Sequence, residues 1–280
     1  MEVATFWGVP QFMWSGVFTL LTTLLAGLII AYFTSTFLKK KEERTRIAGI
    51  IVEKRLSSEQ KILNYLETNL VKEEINKENS CFFDEVIGEL LERLDIGAPY
   101  ENAPQYAKVF LTHKNFEEFF TGYEKIFSEN RLWLDEKVRK QLVFMQMYFS
   151  AINIIPLIVK RIPLPNNQTL SDEQFEIICD RATLLYGISL DSEINYLQAQ
   201  LDMLIVESIY KLDFDRPKKS VLKRSDLKKQ ALKIFDKTLL GINREKYLSM
   251  IFLLTYVVAG VDTSKIAEEE LDHTIQQIME

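Results

Sequence analysis

The N-terminal part of the chain is a long stretch without charged residues that ends abruptly in three lysines. No Asp, Glu, Lys or Arg occurs between Val3 and Leu38, and Lys39, Lys40 and Lys41 follow directly. A helix needs only about 20 apolar residues to cross a hydrocarbon core of about 30 Å. The stretch therefore predicts a membrane anchor over residues 1–38, with the spanning helix over about residues 14–38.

The charges at the two ends of this stretch predict its orientation. Only Glu2 precedes it, and cytoplasmic flanks of a span carry the excess of Lys and Arg. We therefore expect the N-terminus outside, the C-terminal part in the cytoplasm, and the protein in the inner (plasma) membrane of the cell. A cleaved signal peptide would have a basic start, an apolar region of about 7–15 residues and a small-residue cleavage site. The sequence lacks these features, which favours an uncleaved anchor.

A ladder of small residues runs through the predicted span at four-residue intervals. Its members are Ser15, Thr19, Thr23, Gly27, Ala31 and Ser35. Residues four apart are neighbours on one helix face, and small residues let two helix backbones approach closely in lipid. The ladder predicts self-association of the span into a homo-oligomer. The alternative is that the Ser and Thr hydroxyls bond their own helix and the groove contacts only lipid.

The remaining chain predicts an all-α fold, a helical bundle that continues from the span into the cytoplasm. Residues 39–79 resemble a charged helical stalk, whose positions Val52, Leu56, Leu63, Leu66 and Leu70 suit a short coiled-coil seam if Glu59 joins them. The alternative is that this stripe packs on the following domain. Residues 80–280 form the helical domain, with an internal boundary at 161–171, where Ser171 or Asp172 caps the next helix.

Within that domain, apolar residues recur at helical spacing. Phe116, Phe119, Phe120, Tyr123 and Phe127 predict one aromatic helix face, and Leu132–Ile155 a long apolar helix ending near Pro156. Tyr247–Val261 is uncharged, but it is too short to span comfortably and is more typical of a core helix. Phe83–Leu94 and Ser264–Met279 are further predicted helices. No strand pattern is apparent.

The search for catalytic residues yields one weak candidate, His113. Lys108 precedes it at the spacing at which an Arg precedes the His of HEPN ribonucleases, a small all-α family. This spacing resembles the family's signature and implies an RNA-acting enzyme, although Lys does not replace the planar fork of Arg. A Glu270–His273 pair resembles half of a di-iron motif, but no second half exists. The sequence predicts no metal and no cofactor, and leans towards a non-enzymatic protein.

One cluster of basic residues stands out in a chain whose net charge is -6. It comprises Arg216, Lys218, Lys219, Lys223, Arg224, Lys228, Lys229 and Lys233. Such a cluster suits anionic lipid headgroups or a nucleic-acid backbone, or is simply a solvated helix. The acidic balance of the whole chain disfavours nucleic acid as the main partner.

A single N-terminal span followed by a helical domain without catalytic motifs resembles the membrane effectors of bacterial anti-phage defence. These include the pore-forming accessory proteins of some RNA-targeting CRISPR systems. The resemblance is one of architecture, and it implies an oligomeric, membrane-perturbing antiviral effector. The alternatives are a membrane-tethered RNA-acting enzyme of degenerate HEPN type and a passive scaffold that recruits an unidentified cytosolic protein.

Overall fold

The computed structural model describes residues 5–6, 9–74, 105–165, 168–210 and 224–261, and these residues are mostly helical. The chain divides into two compact units, Met1–Lys54 and Arg55–Glu280. The predicted all-α class is confirmed for the described residues. The predicted helices over Phe83–Leu94 and Ser264–Met279 lie outside them.

The first unit contains the candidate span. A short strand pair, β1 (Thr5–Phe6) and β2 (Val9–Pro10), precedes helix α1 (Gln11–Phe33), so the helix begins directly after Pro10. A π-helical segment, Thr34–Leu38, joins α1 to α2 (Lys39–Asn69), and the helical path is continuous from Met13 to Asn69. The apolar window of this helix has no buried residue, and its length and composition would suit a membrane span or a signal sequence.

The predicted helical stalk is shorter in the structure than in the sequence analysis. Helix α2 ends at Asn69 rather than Asn79, and the chain continues into β3 (Lys72–Glu74), which pairs antiparallel with β4 (Gln105–Ala107). This three-residue pair has no alternating apolar pattern in the sequence, because strands this short carry too few side chains to show one.

The apolar stripe of α2 packs on its own domain instead of forming an exposed coiled-coil seam. Ile62 and Leu66 are buried, and the Tyr65 ring stacks on Phe119 at 5.9 Å between centroids. The Tyr65 hydroxyl also donates to the Phe119 carbonyl at 2.8 Å. The alternative interpretation of the stripe, packing on the following domain, therefore holds for this part of α2.

An aromatic cluster forms the centre of the second unit. It lies between α3 (His113–Asn130) and α4 (Glu136–Asn153). Phe149 of α4 is fully buried and meets Phe119 and Tyr123 edge-on, with centroids 5.2 and 5.6 Å apart. The predicted aromatic face of α3 is confirmed, since all five of its rings are buried.

The predicted helix Leu132–Ile155 has different bounds in the structure. Leu132 is 83% exposed in a turn, and α4 begins at Glu136 because Asp135 caps it by accepting the Lys137 N–H at 2.8 Å. Pro156 lies in the first turn of α5 (Ile155–Arg161), where its missing N–H has no helical partner to lose. Pro156 thus begins a new helix and does not merely end the previous one.

The remaining described helices are α6 (Asp172–Ser189), α7 (Asp191–Tyr210), α8 (Arg224–Phe235), α9 (Leu239–Ile242) and α10 (Arg244–Val258). Of the two predicted caps, Ser171 and Asp172, it is Ser171 that caps α6, in a capping box with Gln174. Every residue from Tyr247 to Thr255 is buried, so this apolar run is a core helix. Glu136–Arg161 is also long and apolar enough to span, but half of its apolar window is buried inside the domain.

Candidate functional site

The small-residue ladder of α1 forms a shallow groove at its centre. Thr23, Gly27 and Ala31 form the floor, and Leu20, Leu24 and Leu28 line one side. A Cβ built on Gly27 would meet no atom within 4 Å, so the floor is open at this point. The groove can therefore accept the side chains or backbone of another apolar helix.

The groove is shorter than the six-residue ladder suggested. Each four-residue step along an α-helix advances by about 40° around the axis, so Ser15 and Ser35 would lie about 200° apart on a regular helix. The π-helical turn at Thr34–Leu38 further changes the register of Ser35. The three members that line the groove, Thr23, Gly27 and Ala31, lie within about 80° of one another and can face one partner.

Three of the four hydroxyl groups of the ladder donate to backbone carbonyls of their own helical segment. Thr19 donates to the Ser15 carbonyl at 2.8 Å, and Thr23 donates to the Thr19 carbonyl at 2.7 Å. Ser35 makes a longer bond of 3.3 Å to the Tyr32 carbonyl. Because the Thr23 hydroxyl already has a partner, association through the groove would depend on close packing. The part of the alternative that has Thr hydroxyls bonding their own helix therefore holds in the structure.

His113 lies at the first turn of α3, where it connects α3 to α6. Its backbone N–H donates to Asp180 Oδ1 at 2.8 Å, and its Nδ1 lies 2.9 Å from Thr183 Oγ1. The ring is mostly buried, and this burial lowers its pKa, with Glu117 opposing the effect. Lys108, the other half of the candidate pair, bonds Glu73 at 3.1 Å. These partners give His113 and Lys108 separate structural contacts.

The predicted basic cluster is only partly described. Arg216, Lys218, Lys219 and Lys223 lie outside the described residues, as does His273, while Arg224 and Lys228 lie on α8. The Lys229 and Lys233 side chains are exposed on the outer side of α8. The same helix exposes Leu232 and Ile234, which the sequence analysis did not single out.

A buried polar cluster in the second unit was also missed. Glu59 is 1% exposed, and its carboxylate accepts bonds from Arg55 Nε at 3.2 Å and Ser208 Oγ at 3.0 Å. Arg55 also pairs with Asp135, the cap of α4, at 3.1 Å. The only signal in the sequence was Arg55 four residues before Glu59, which places the two charges on one helix face.

No family model, curated protein or solved structure matches this chain. A functional conclusion must therefore come from the chain's own residues.

Proposed function

We propose that this protein is a single-pass, non-enzymatic membrane effector whose span self-associates through the groove of Thr23, Gly27 and Ala31. The groove is the observation that supports the proposal. It is apolar and open, and it lies on a helix whose apolar surface is exposed on every side. Lys39–Lys41 support a cytoplasmic position for the helical domain, because cytoplasmic flanks of a span are rich in Lys and Arg.

Close packing is the physical basis of the association. Between helices in lipid there is no hydrophobic driving force, and small residues at the contact allow the backbones to approach. The threonine hydroxyls bond their own backbone, so they need no partner across the interface. Gly27 is consequently the residue on which the association depends most, and the Thr23 hydroxyl should matter little.

Self-association can be measured by energy transfer between labelled copies of the full chain in lipid bilayers. Gly27→Leu should weaken it by about tenfold, because the side chain fills the groove floor. Thr22→Leu is the matched control, since Thr22 lies about 140° away around the helix. Thr23→Val, which keeps the shape and removes the hydroxyl, should stay near wild type. Equal association in Gly27→Leu and Thr22→Leu would remove the groove from the proposal.

The membrane-perturbing activity has its own test in cells. Expression of the wild type should lower the membrane potential, and Gly27→Leu should restore it while Thr22→Leu should not. An intact mass that retains residues 1–38 would distinguish an anchor from a cleaved signal sequence. Unchanged potential in cells that carry the intact, inserted chain would instead favour a scaffold that recruits a cytosolic protein.

A further inference from the structure

Helices α8 and α9 expose a surface that is basic and apolar at once. We call it the α8–α9 surface, and it consists of Lys229, Leu232, Lys233, Ile234, Lys237, Leu239 and Ile242. The four apolar members are between 43% and 67% exposed, Leu239 being the least and Ile242 the most exposed. Exposed branched apolar side chains close to lysines are typical of surfaces that contact a partner.

The opposite sides of these helices fix the orientation of the surface. Ala231 is buried, and the Phe235 ring packs edge-on against the core residue Tyr148 at 6.4 Å. Leu239 donates its backbone N–H to Glu193 Oε1 at 2.8 Å, and Thr238 caps α9 by accepting the Gly241 N–H at 3.0 Å. With α8 held in this way, Lys229 and Lys233 point away from the core, and Leu232 and Ile234 lie on the two flanks of the helix.

The positive charge of the surface comes from three exposed lysines. In the described part of the chain, no salt bridge involves Lys229, Lys233 or Lys237. Asp236 is the one acidic residue between Lys229 and Ile242. The whole chain is acidic, with 40 Asp and Glu against 34 Lys and Arg, so this local excess of lysine calls for an anionic partner.

We propose that the α8–α9 surface docks on the anionic headgroups of a lipid bilayer. The inference rests on the proposed membrane anchoring, which supplies that bilayer. Lysines at such a surface bind anionic lipid while their alkyl stems cover apolar area. Leucine and isoleucine side chains between them enter the boundary between headgroups and acyl chains. One surface thus uses both parts of the lipid.

A nucleic acid fits the surface less well. Single-stranded nucleic acid binds through aromatic side chains that stack on bases, and none of the seven residues is aromatic. Phosphate contacts would also leave the exposed isoleucines in water. A lipid surface is the partner that uses both the lysines and the exposed apolar side chains beside them.

The experiment uses the full chain in nanodiscs of zwitterionic phosphatidylcholine, and in nanodiscs in which phosphatidylglycerol replaces a third of that lipid. The rate of lysine acetylation is read at each position by mass spectrometry. We expect acetylation of Lys229, Lys233 and Lys237 to slow by about fivefold or more in the anionic discs. Lys125, which is exposed on α3, is the internal control and should react equally in both.

Two variants separate the charge from the apolar contribution. Lys229→Glu/Lys233→Glu should abolish the protection of Lys237, and Leu232→Ser/Ile242→Ser should reduce it, although all four positions are exposed and the fold should tolerate the changes. Equal acetylation in both kinds of disc would overturn the inference. Protection unaffected by Leu232→Ser/Ile242→Ser would overturn the apolar part of it.

The remaining outcomes keep the inference separate from the proposed function. If the three lysines are protected from acetylation in zwitterionic discs only when RNA is added, the partner of the surface is a nucleic acid and not a lipid. Gly27→Leu should leave the acetylation pattern unchanged, because the groove and the α8–α9 surface have different partners. A chain that inserts but shows no protection overturns this inference alone, and a chain that fails to insert overturns both.

Discussion

The Ser208 hydroxyl of α7 donates a hydrogen bond to the buried Glu59 carboxylate of α2 at 3.0 Å. Arg55 completes the arrangement from one turn earlier on α2, and it also reaches Asp135 at the start of α4. Three parts of the second unit therefore meet at one carboxylate that is almost fully removed from water. Such a group is stable only while its partners remain.

The first prediction concerns removal of the charge partner of Glu59. Arg55→Ala should lower the free energy of unfolding of the second unit by about 3 kcal/mol, because it leaves a buried carboxylate without its cation. Ser208→Ala should cost about 1 kcal/mol for one lost hydrogen bond. Hydrogen exchange of the α4 amides in the full chain measures both values.

The control for this prediction is a pair on the protein surface. Lys140 and Glu136 lie 2.9 Å apart with side chains 38% and 39% exposed, so Lys140→Ala should change stability by about 0.5 kcal/mol or less. Adding Glu59→Leu to Arg55→Ala should recover part of the loss, since it removes the stranded charge. If Arg55→Ala lowered the free energy of unfolding as little as Lys140→Ala does, the Glu59 carboxylate would have to be in contact with water, which would contradict its burial.

The second prediction compares two helical glycines. Gly187 of α6 faces Phe110, and a Cβ at this position would overlap the first two carbons of that fully buried side chain. Gly187→Ala should therefore destabilise the domain by about 1–3 kcal/mol despite the better helix propensity of alanine. Gly49→Ala is the matched change, because Gly49 is exposed on α2 with no atom within 4 Å of the added methyl.

The two variants should change thermal stability differently. Circular dichroism on heating should show a lower midpoint for Gly187→Ala and an unchanged or slightly higher one for Gly49→Ala. A stabilised Gly187→Ala protein would mean that α6 can move away from Phe110 at little cost.

The third prediction is a pH dependence that comes from His113. Burial lowers the pKa of His113 in the folded state below its ordinary value of 6.5. The unfolded chain therefore binds a proton at this position more readily than the folded chain does. Stability should therefore fall as the pH decreases from 7.5 towards 5.5, by the linkage between proton binding and unfolding. Burial raises the pKa of the neighbouring Asp180, and this shift acts in the opposite direction, because the folded state binds a proton at Asp180 more readily than the unfolded chain does.

The His113 contribution is isolated by comparison with His113→Gln. This variant has no titrating group at the position, so its stability should change less between pH 7.5 and 5.5 than that of the wild type. Parallel pH profiles for the two proteins would show that the ring becomes protonated in the folded state without loss of stability.

Sequence patterns predicted those elements that have many regularly spaced side chains. The aromatic face of α3 was found, because five rings at helical spacing are a strong local signal. The cap of α6 was narrowed to Ser171 or Asp172, since both residue types favour that position, and Ser171 occupies it. The end of α2 at Asn69 was missed, since no Gly or Pro lies there and the strand pairing that follows is a non-local contact.

The sites were harder to predict than the helices. Periodicity identified the ladder from Ser15 to Ser35, but only the rotation of the helix shows that its centre is the usable groove. The lysines of α8 were visible in the sequence as a charge cluster. The packing of α8 against α4 decides which of Leu232, Ile234 and Phe235 face the core. No pattern within the α8 sequence determines that packing.

The last prediction concerns the thiol of Cys179 on α6. The side chain is buried, and burial together with the nearby Asp180 raises its pKa to about 12, while Lys160 opposes the change. Thiols react as thiolates, so native Cys179 should resist alkylation by iodoacetamide at pH 7.5 and should react fully in denaturant. A Cys81→Ser background makes Cys179 the single reporter, because the chain has two cysteines. The Gly187→Ala variant in the same background should react faster, since a strained α6 opens more often. Rapid alkylation of the native protein would show that α6 opens readily at this position, which would contradict the packing of α6 described above.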